Sequence, residues 1–321
     1  MSRYYDITLT PTPLSSGNQP QTWTSFPNRT YDPGALNVQL DLLASPMATP
    51  MGNSTISIDG ISLQDLLQAQ QFANMNIVVK GGMQAGLPLA NPSQAGVLLQ
   101  GMVYQSFANW VGTDMNLNFV VIPSIYTFAK PGGLVIQWNK GQALSDAIAI
   151  MLQAAYPANP RIINIGANYS TSATLTHAVQ TLPQFASWLK SITKSSSSPG
   201  VDITILPSGA IYAWDGTSKG AAVSLAFTDL IGQPKWVDQN VMQFVTIMRA
   251  DIQVGSLVTM PVGLQNLPGI VQTQASSLPS QLKYKTSFQG QFIVQSIRHV
   301  GNFRDSDGAS WATYFQAAPL S

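Results

Sequence analysis

Two histidines, fourteen acidic residues that are all aspartate, and no cysteine are the groups from which acid–base, nucleophilic or metal chemistry would have to be built. Catalysis needs a nucleophile, a base and an orienting group within hydrogen-bond reach of one another. His177, in Leu175-Thr176-His177-Ala178-Val179, and His299, beside Arg298, lie far apart in the chain. His177 reads as a structural residue at a surface or element end. His299 closes a long apolar run and is followed by Arg304, Asp305 and Asp307, a polar constellation able to position a ligand or partner. A hairpin with a charged tip accounts for the same residues more simply. Asp305-Ser306-Asp307-Gly308 opens like a calcium loop but lacks the third ligand position and the closing glutamate, so a turn is expected. No glycine motif of the phosphate- or dinucleotide-binding type occurs. Paired aspartates could serve a glycosidase, and Trp110, Trp138, Trp188, Trp214 and Trp236 could stack on sugars, although tryptophans at such spacing are more often core. The expectation is therefore no catalytic residue, no metal and no cofactor.

The elements that must carry these residues fall into three textures. Over the first 125 or so residues, Ile7 and Leu9, then Leu36, Val38 and Leu40, then Ile56 and Ile58, and finally Leu117, Phe119 and Val121 alternate with polar neighbours, as strands do. Asp59-Gly60 favours a tight hairpin. Ser62 with Asp65 three residues on reads as the cap of a short helix. A middle section holds a short strand around Leu134, Ile136 and Trp138, a helix over 142–156 ended by Pro157, and a second helix from Thr181 with Pro183 in its first turn. A hairpin of Val201, Ile203 and Ile205 against Ile211, Tyr212 and Trp214 follows. Strand character returns at Val223, Leu225 and Phe227. The run 241–248 reads as a strand covered on both faces. Residues 263–280 read as a long loop, and Phe288 through Ile297, a turn at 302–308 and Trp311, Thr313 and Phe315 read as a closing hairpin. The fold class expected is α+β and β-rich, with two β modules, 1–127 and 221–321, separated by a small α+β domain at 128–220.

Composition narrows the function. Only 9% of residues are charged and the net charge is +1, where a soluble domain carries about 25% charged residues. A monomer of this mass exposes roughly 13,000 Å², or about 450 Å² for each charge, nearly three times the usual share. Either neutral polar residues solvate the surface or other chains cover much of it. Nucleic-acid binding through clustered cations is disfavoured, and no apolar run has the length of a membrane span or the form of a signal peptide. The expectation is a protein made in the cytoplasm, with no membrane partner.

Two segments resemble the central baseplate hub of contractile-tailed bacteriophages. One is Phe227-Thr-Asp-Leu-Ile-Gly-Gln-Pro-Lys-Trp236, running on through Arg249-Ala-Asp-Ile-Gln-Val-Gly255 to Pro261; the other is Phe292-Ile-Val-Gln-Ser-Ile-Arg-His-Val-Gly301 with Arg304 and Trp311-Ala-Thr313. The stretch Phe107-Ala-Asn-Trp-Val-Gly-Thr-Asp114 is similar in a weaker way. The resemblance implies two tail-tube-like β-barrel domains per chain and a homotrimer presenting six of them. It implies a virion location in the tail baseplate, with the tail tube protein, the tail-spike protein and baseplate wedge proteins as partners and DNA as transient cargo. On that reading Trp110, Arg298, His299 and Arg304 are expected at subunit or partner interfaces. The rival expectations are a muralytic or other polysaccharide-active enzyme, a carbohydrate-binding module, and another tail component such as tube or distal-tail protein.

Overall fold

Strands are the dominant regular element, and the first, Arg3–Thr10, alternates buried and half-buried residues as the period of two at Tyr5, Ile7 and Leu9 leads one to expect. The computed structural model describes residues 3–15, 17–48, 54–83, 91–123, 133–166, 168–195, 198–217, 221–238, 240–265, 270–271 and 288–320. The first module contains β1 (Arg3–Thr10), β2 (Gln21–Thr24), β3 (Asn37–Ala44), β4 (Ser54–Asp59), α1 (Leu63–Leu67), β5 (Asn76–Met83), β6 (Gly96–Val111) and β7 (Asp114–Pro123). Asp59-Gly60 makes no hairpin: Gly60 takes a positive φ of 82° and sends the chain into α1, whose Ser62 side chain accepts from the Asp65 amide. Its strand instead pairs with β3 and β7.

The middle section holds β8 (Leu134–Trp138), α2 (Leu144–Ala155), β9 (Arg161–Asn164), β10 (Leu175–Val179), α3 (Leu182–Thr193), β11 (Asp202–Ile205) and β12 (Ile211–Trp214). Thr181 and Gln184 cap α3 reciprocally. Two small sheets, β10-β8 and β11-β12-β9, pack with both helices on one core that includes Phe185, Leu189 and Ile148. Met47, from just after β3, enters that core, and its amide donates to the Ile203 carbonyl at 2.7 Å.

The last third contains β13 (Val223–Ser224), β14 (Lys235–Asp238), β15 (Val241–Ile247), β16 (Leu257–Thr259), α4 (Val262–Gln265), β17 (Ile270–Val271), β18 (Gln291–Asn302) and β19 (Trp311–Pro319). The strand expected over 223–227 is cut to two residues because a 3-10 turn starts at Phe227. The run 241–248 is not covered on both faces, since β15 alternates buried and half-buried residues. Most of the loop expected at 263–280 lies outside the described residues.

First and last thirds share one 14-stranded sheet in the order β17-β14-β15-β19-β18-β3-β4-β7-β6-β5-β1-β2, with β13 and β16 branching from β18. Among the described residues it does not close on itself. The join is antiparallel pairing of β18 with β3, from Ile297 opposite Ala44 to Asn302 opposite Gln39. The sheet covers two cores: one built on Ile7, Ile58 and Phe119 that also takes in Met248, Phe303 and Trp311 of the last third, and one that includes Phe244, Phe292 and Phe315. The structure is thus β-rich, with a small α+β section between two β-rich parts.

Candidate interaction surface around the β3–β18 join

Alternation along β18 sends Arg298, Val300 and Asn302 to the outer face and Ile297, His299 and Gly301 to the inner one. Arg298 meets Asp41 of β3 in a two-pronged pair, Nε and Nη2 each donating at 2.7 Å. Both side chains are about half exposed, and the paired carboxylate holds the guanidinium above its ordinary pKa. One residue on, His299 is buried, its Nδ1 lying 2.9 Å from the Thr313 hydroxyl. That hydroxyl also accepts from the Arg249 amide at 3.1 Å. Burial pushes the His299 imidazole down to about 3, so it stays neutral.

The turn after β18 is fastened from two directions. Arg304 donates to the carbonyls of Pro33, at 2.8 Å, and Ala35, and its own amide donates to Asn37 Oδ1 at 3.0 Å. Arg3, buried at the start of β1, donates to the carbonyls of Asn302 and Asp307 and lies over the Trp311 ring. Three of the four residues singled out by the sequence, Arg298, His299 and Arg304, therefore come together in one hairpin and engage partners within the chain. The turn itself is the expected one, with Asp307 capping the 3-10 segment Gly308–Ser310.

Two buried arginines escaped the sequence reading. Arg3 was one. Arg249 is the other: it pairs in two-pronged fashion with Asp251 at 2.6–2.7 Å, and its Nη1 sits 3.4 Å from Asp229. Asp229 in turn accepts from the Gln94 side chain of the first third. Its Asp251 partner is only two residues away, but its burial and its approach to Asp229 are set by the fold. The carboxylates of Asp229 and Asp251 thus converge on the Arg249 guanidinium. Among the described residues no group of His, Cys and Asp could hold a metal ion. His177 sits mid-strand in β10, stacked on Trp188 at 4.2 Å, a packing role. No helix among the described residues is long and apolar enough to cross a membrane.

The outer face of the sheet crosses the join without a break. Cross-strand partners run Asn302–Gln39–Ser57–Asn118–Phe107 in one row and Val300–Asp41–Thr55–Val120–Gln105 in the next. Amides, hydroxyls and small apolar groups dominate, and Asp59 is held by Asn37 and Gln39 at 2.9 and 3.0 Å. A shallow groove of about 400 Å³ crosses these rows, its rim including Gln39, Asp41, Ser57, Phe107 and Asn118. Such a face offers hydrogen bonds and little net charge. Trp110 stands apart, near the tip of the β6–β7 hairpin. It is 64% exposed, its indole N–H donating to Gly112 O at 2.8 Å, with Tyr104, Phe107 and Val111 exposed alongside.

No family model and no curated protein sequence matches the chain. Solved structures do. An Escherichia coli protein, described as a type VI secretion system component structurally similar to the T4 bacteriophage tail proteins gp27 and gp5, aligns over 89% of this chain and 73% of its own with a TM-score of 0.50 at 10% identity. A 43 kDa tail protein of prophage MuSo2 from Shewanella oneidensis aligns over 99% of this chain and 97% of its own, with a TM-score of 0.51 at 9% identity. At such identities the likeness is one of fold. The chain has the β-rich fold found in phage-tail and type VI secretion proteins.

Proposed function

We propose that this chain is a structural, non-enzymatic subunit of a tail baseplate: the central hub, working as a trimer that joins the hexameric tail tube to the trimeric central spike and forms part of the DNA conduit. Residues 1–127 and 221–321 would be its two tube-like β-barrel domains, and 128–220 the α+β domain outside the ring. The observation that carries this reading is the edge-to-edge union of two β-rich halves, through β3 and β18, over two separate hydrophobic cores. One chain then presents two β units side by side, three chains present six, and a threefold assembly acquires the sixfold repeat that a hexameric tube needs. The outer face of the joined sheet carries little net charge, its Arg298 being paired with Asp41. This suits a conduit wall, because a wall without clustered cations has little to retain passing phosphates. Arg298 and Arg304 act within the chain on this reading, keeping the two halves in register, His299 supports them from inside, and Trp110 faces a neighbouring subunit.

The measurement is the mass of the purified chain in solution, alone and with its spike protein, together with images of the particle end-on. Three copies in a ring that captures the spike is the expected result. A stable monomer indifferent to the spike would overturn the proposal. The secretion-system neighbour favours one variant of it, the same adapter in a contractile injection machine without DNA cargo. Particles purified with filled heads would exclude that variant.

A further inference from the structure

We infer that residues 107–111, the outer half of β6, are the strand edge by which one copy of this chain adds to the next. The inference rests on the hub reading above and specifies its subunit contact. β6 is 16 residues long, and its two halves have different surroundings. From Gly96 to Met102 it pairs with β5, and from Gly101 onward with β7; beyond Val103, where the register with β7 shifts, its main chain pairs with β7 alone among the described residues. The 3-10 turn Ala69–Phe72 borders it as far as Ser106, whose hydroxyl donates to the Ala69 carbonyl. Past that point one edge of the strand has no hydrogen-bonded main-chain neighbour among the described residues.

A row of unmet N–H and C=O groups at regular spacing is satisfied best by the main chain of another strand. Folded monomers guard such edges with lysine, proline or an inward-pointing charge. Phe107-Ala108-Asn109-Trp110-Val111 has none of these. It shows instead large exposed apolar side chains, Phe107 at 40%, Trp110 at 64% and Val111 at 74%. Aromatic residues of this kind anchor protein interfaces more often than any aliphatic one.

The occupant is a second copy for two reasons. The β3–β18 join already unites two β-rich halves edge to edge, and repeating such a join between chains extends the same sheet with its outer face unbroken. The chain is also so poor in charge, 9% of residues, that a neutral neighbour like itself meets no electrostatic mismatch along this edge. A threefold ring requires the contact to be head-to-tail, so the edge meets a different strand on the neighbour.

The test uses the full chain with a photo-reactive phenylalanine analogue in place of Phe107, and separately the variants Phe107→Lys and Trp110→Lys. Chain-to-chain adducts at position 107 and loss of the trimer to monomer at micromolar concentration in both lysine variants are expected, with the far-UV spectrum kept, since the substituted side chains are exposed within one chain. A wild-type trimer that gives no chain-to-chain adduct, or that persists in folded lysine variants, overturns the inference and leaves the hub reading standing. Adducts to the tube or spike protein alone, in assembled particles, also overturn it. A monomeric wild type would remove both. The aromatic replacement is conservative, so the cross-linking arm decides even if a lysine variant misfolds.

Discussion

Thr313 holds together two buried groups of opposite design, the neutral imidazole of His299 and the main chain at the charged Arg249. The imidazole is pushed down to about 3 by burial, well below the 6.5 it has when unfolded. Below pH 6.5 the unfolded chain takes up a proton that the folded one refuses, so stability declines as pH falls toward 3, by up to about 1.4 kcal/mol per pH unit. Denaturant midpoints measured at pH 7, 5 and 4 should therefore drop more steeply for the wild type than for His299→Gln. Asp202, shifted upward by burial, contributes the opposite slope and cancels in that comparison. Parallel slopes for the two proteins would refute the assignment. Exposure likewise separates the arginines. Arg249→Ala strands two carboxylates around a buried vacancy and should cost about 3–5 kcal/mol, whereas the exposed Arg298–Asp41 pair should contribute less than about 1 kcal/mol, so Arg298→Ala should unfold almost at the wild-type denaturant concentration.

The seam between the two halves depends on one glycine at the level of the strands. A Cβ on Gly301 would lie 2.7 Å from the Trp311 ring and 2.9 Å from a Leu40 methyl. Trp311 crosses β18 there and donates from its indole to Gly82 O at 2.9 Å, tying β19 to β5. Gly301→Ala should lower stability by about 1–3 kcal/mol, read from denaturant melts, through forced displacement of that ring. A Gly301→Ala protein as stable as wild type would show that the ring moves freely. In the middle section Thr181→Ala removes a reciprocal cap and should cost about 1 kcal/mol, visible as earlier thermal loss of the helical signal. The short helices were readable because their caps and breakers are local: Ser62, Thr181 and Pro157 each act within a turn or two. β6 was not, although it is the longest strand, because its register shift at Val103 interrupts the alternation and its outer half is exposed on both faces. β9 and β10 were missed for a related reason, their residues being half-buried with little contrast between faces.

For the molecule as a whole, 29 charges are spread over 15,809 Å² of accessible surface. Association of such a chain must come from apolar burial and neutral hydrogen bonds, which salt does not screen. The proposed trimer should therefore keep its mass when sodium chloride is raised from 0.1 to about 1 M, and sulfate should tighten it through stronger apolar association. Light scattering across both salt series checks this. Dissociation by sodium chloride alone would mean that the few ions present, and not the apolar surface, hold the copies together.

What the amino-acid order determined by itself was local: the period of two that makes β1, β3, β4 and β7 one-sided, the two helices of the middle section, the tight turn at 302–308, and a composition unusually short of charge. Fold class and the β, α+β, β order followed from those patterns. Neighbourhood was decided only in three dimensions. A strand's alternation tells which side chains share a face but carries no information about which other strand lies beside it. Pairing β18 with β3 joins Arg298 to Asp41 across 257 residues. That pairing placed His299 inside the protein and directed Arg298 and Arg304 toward partners in their own chain. Likewise the far half of β6, with Trp110, pairs with β7 alone among the described residues.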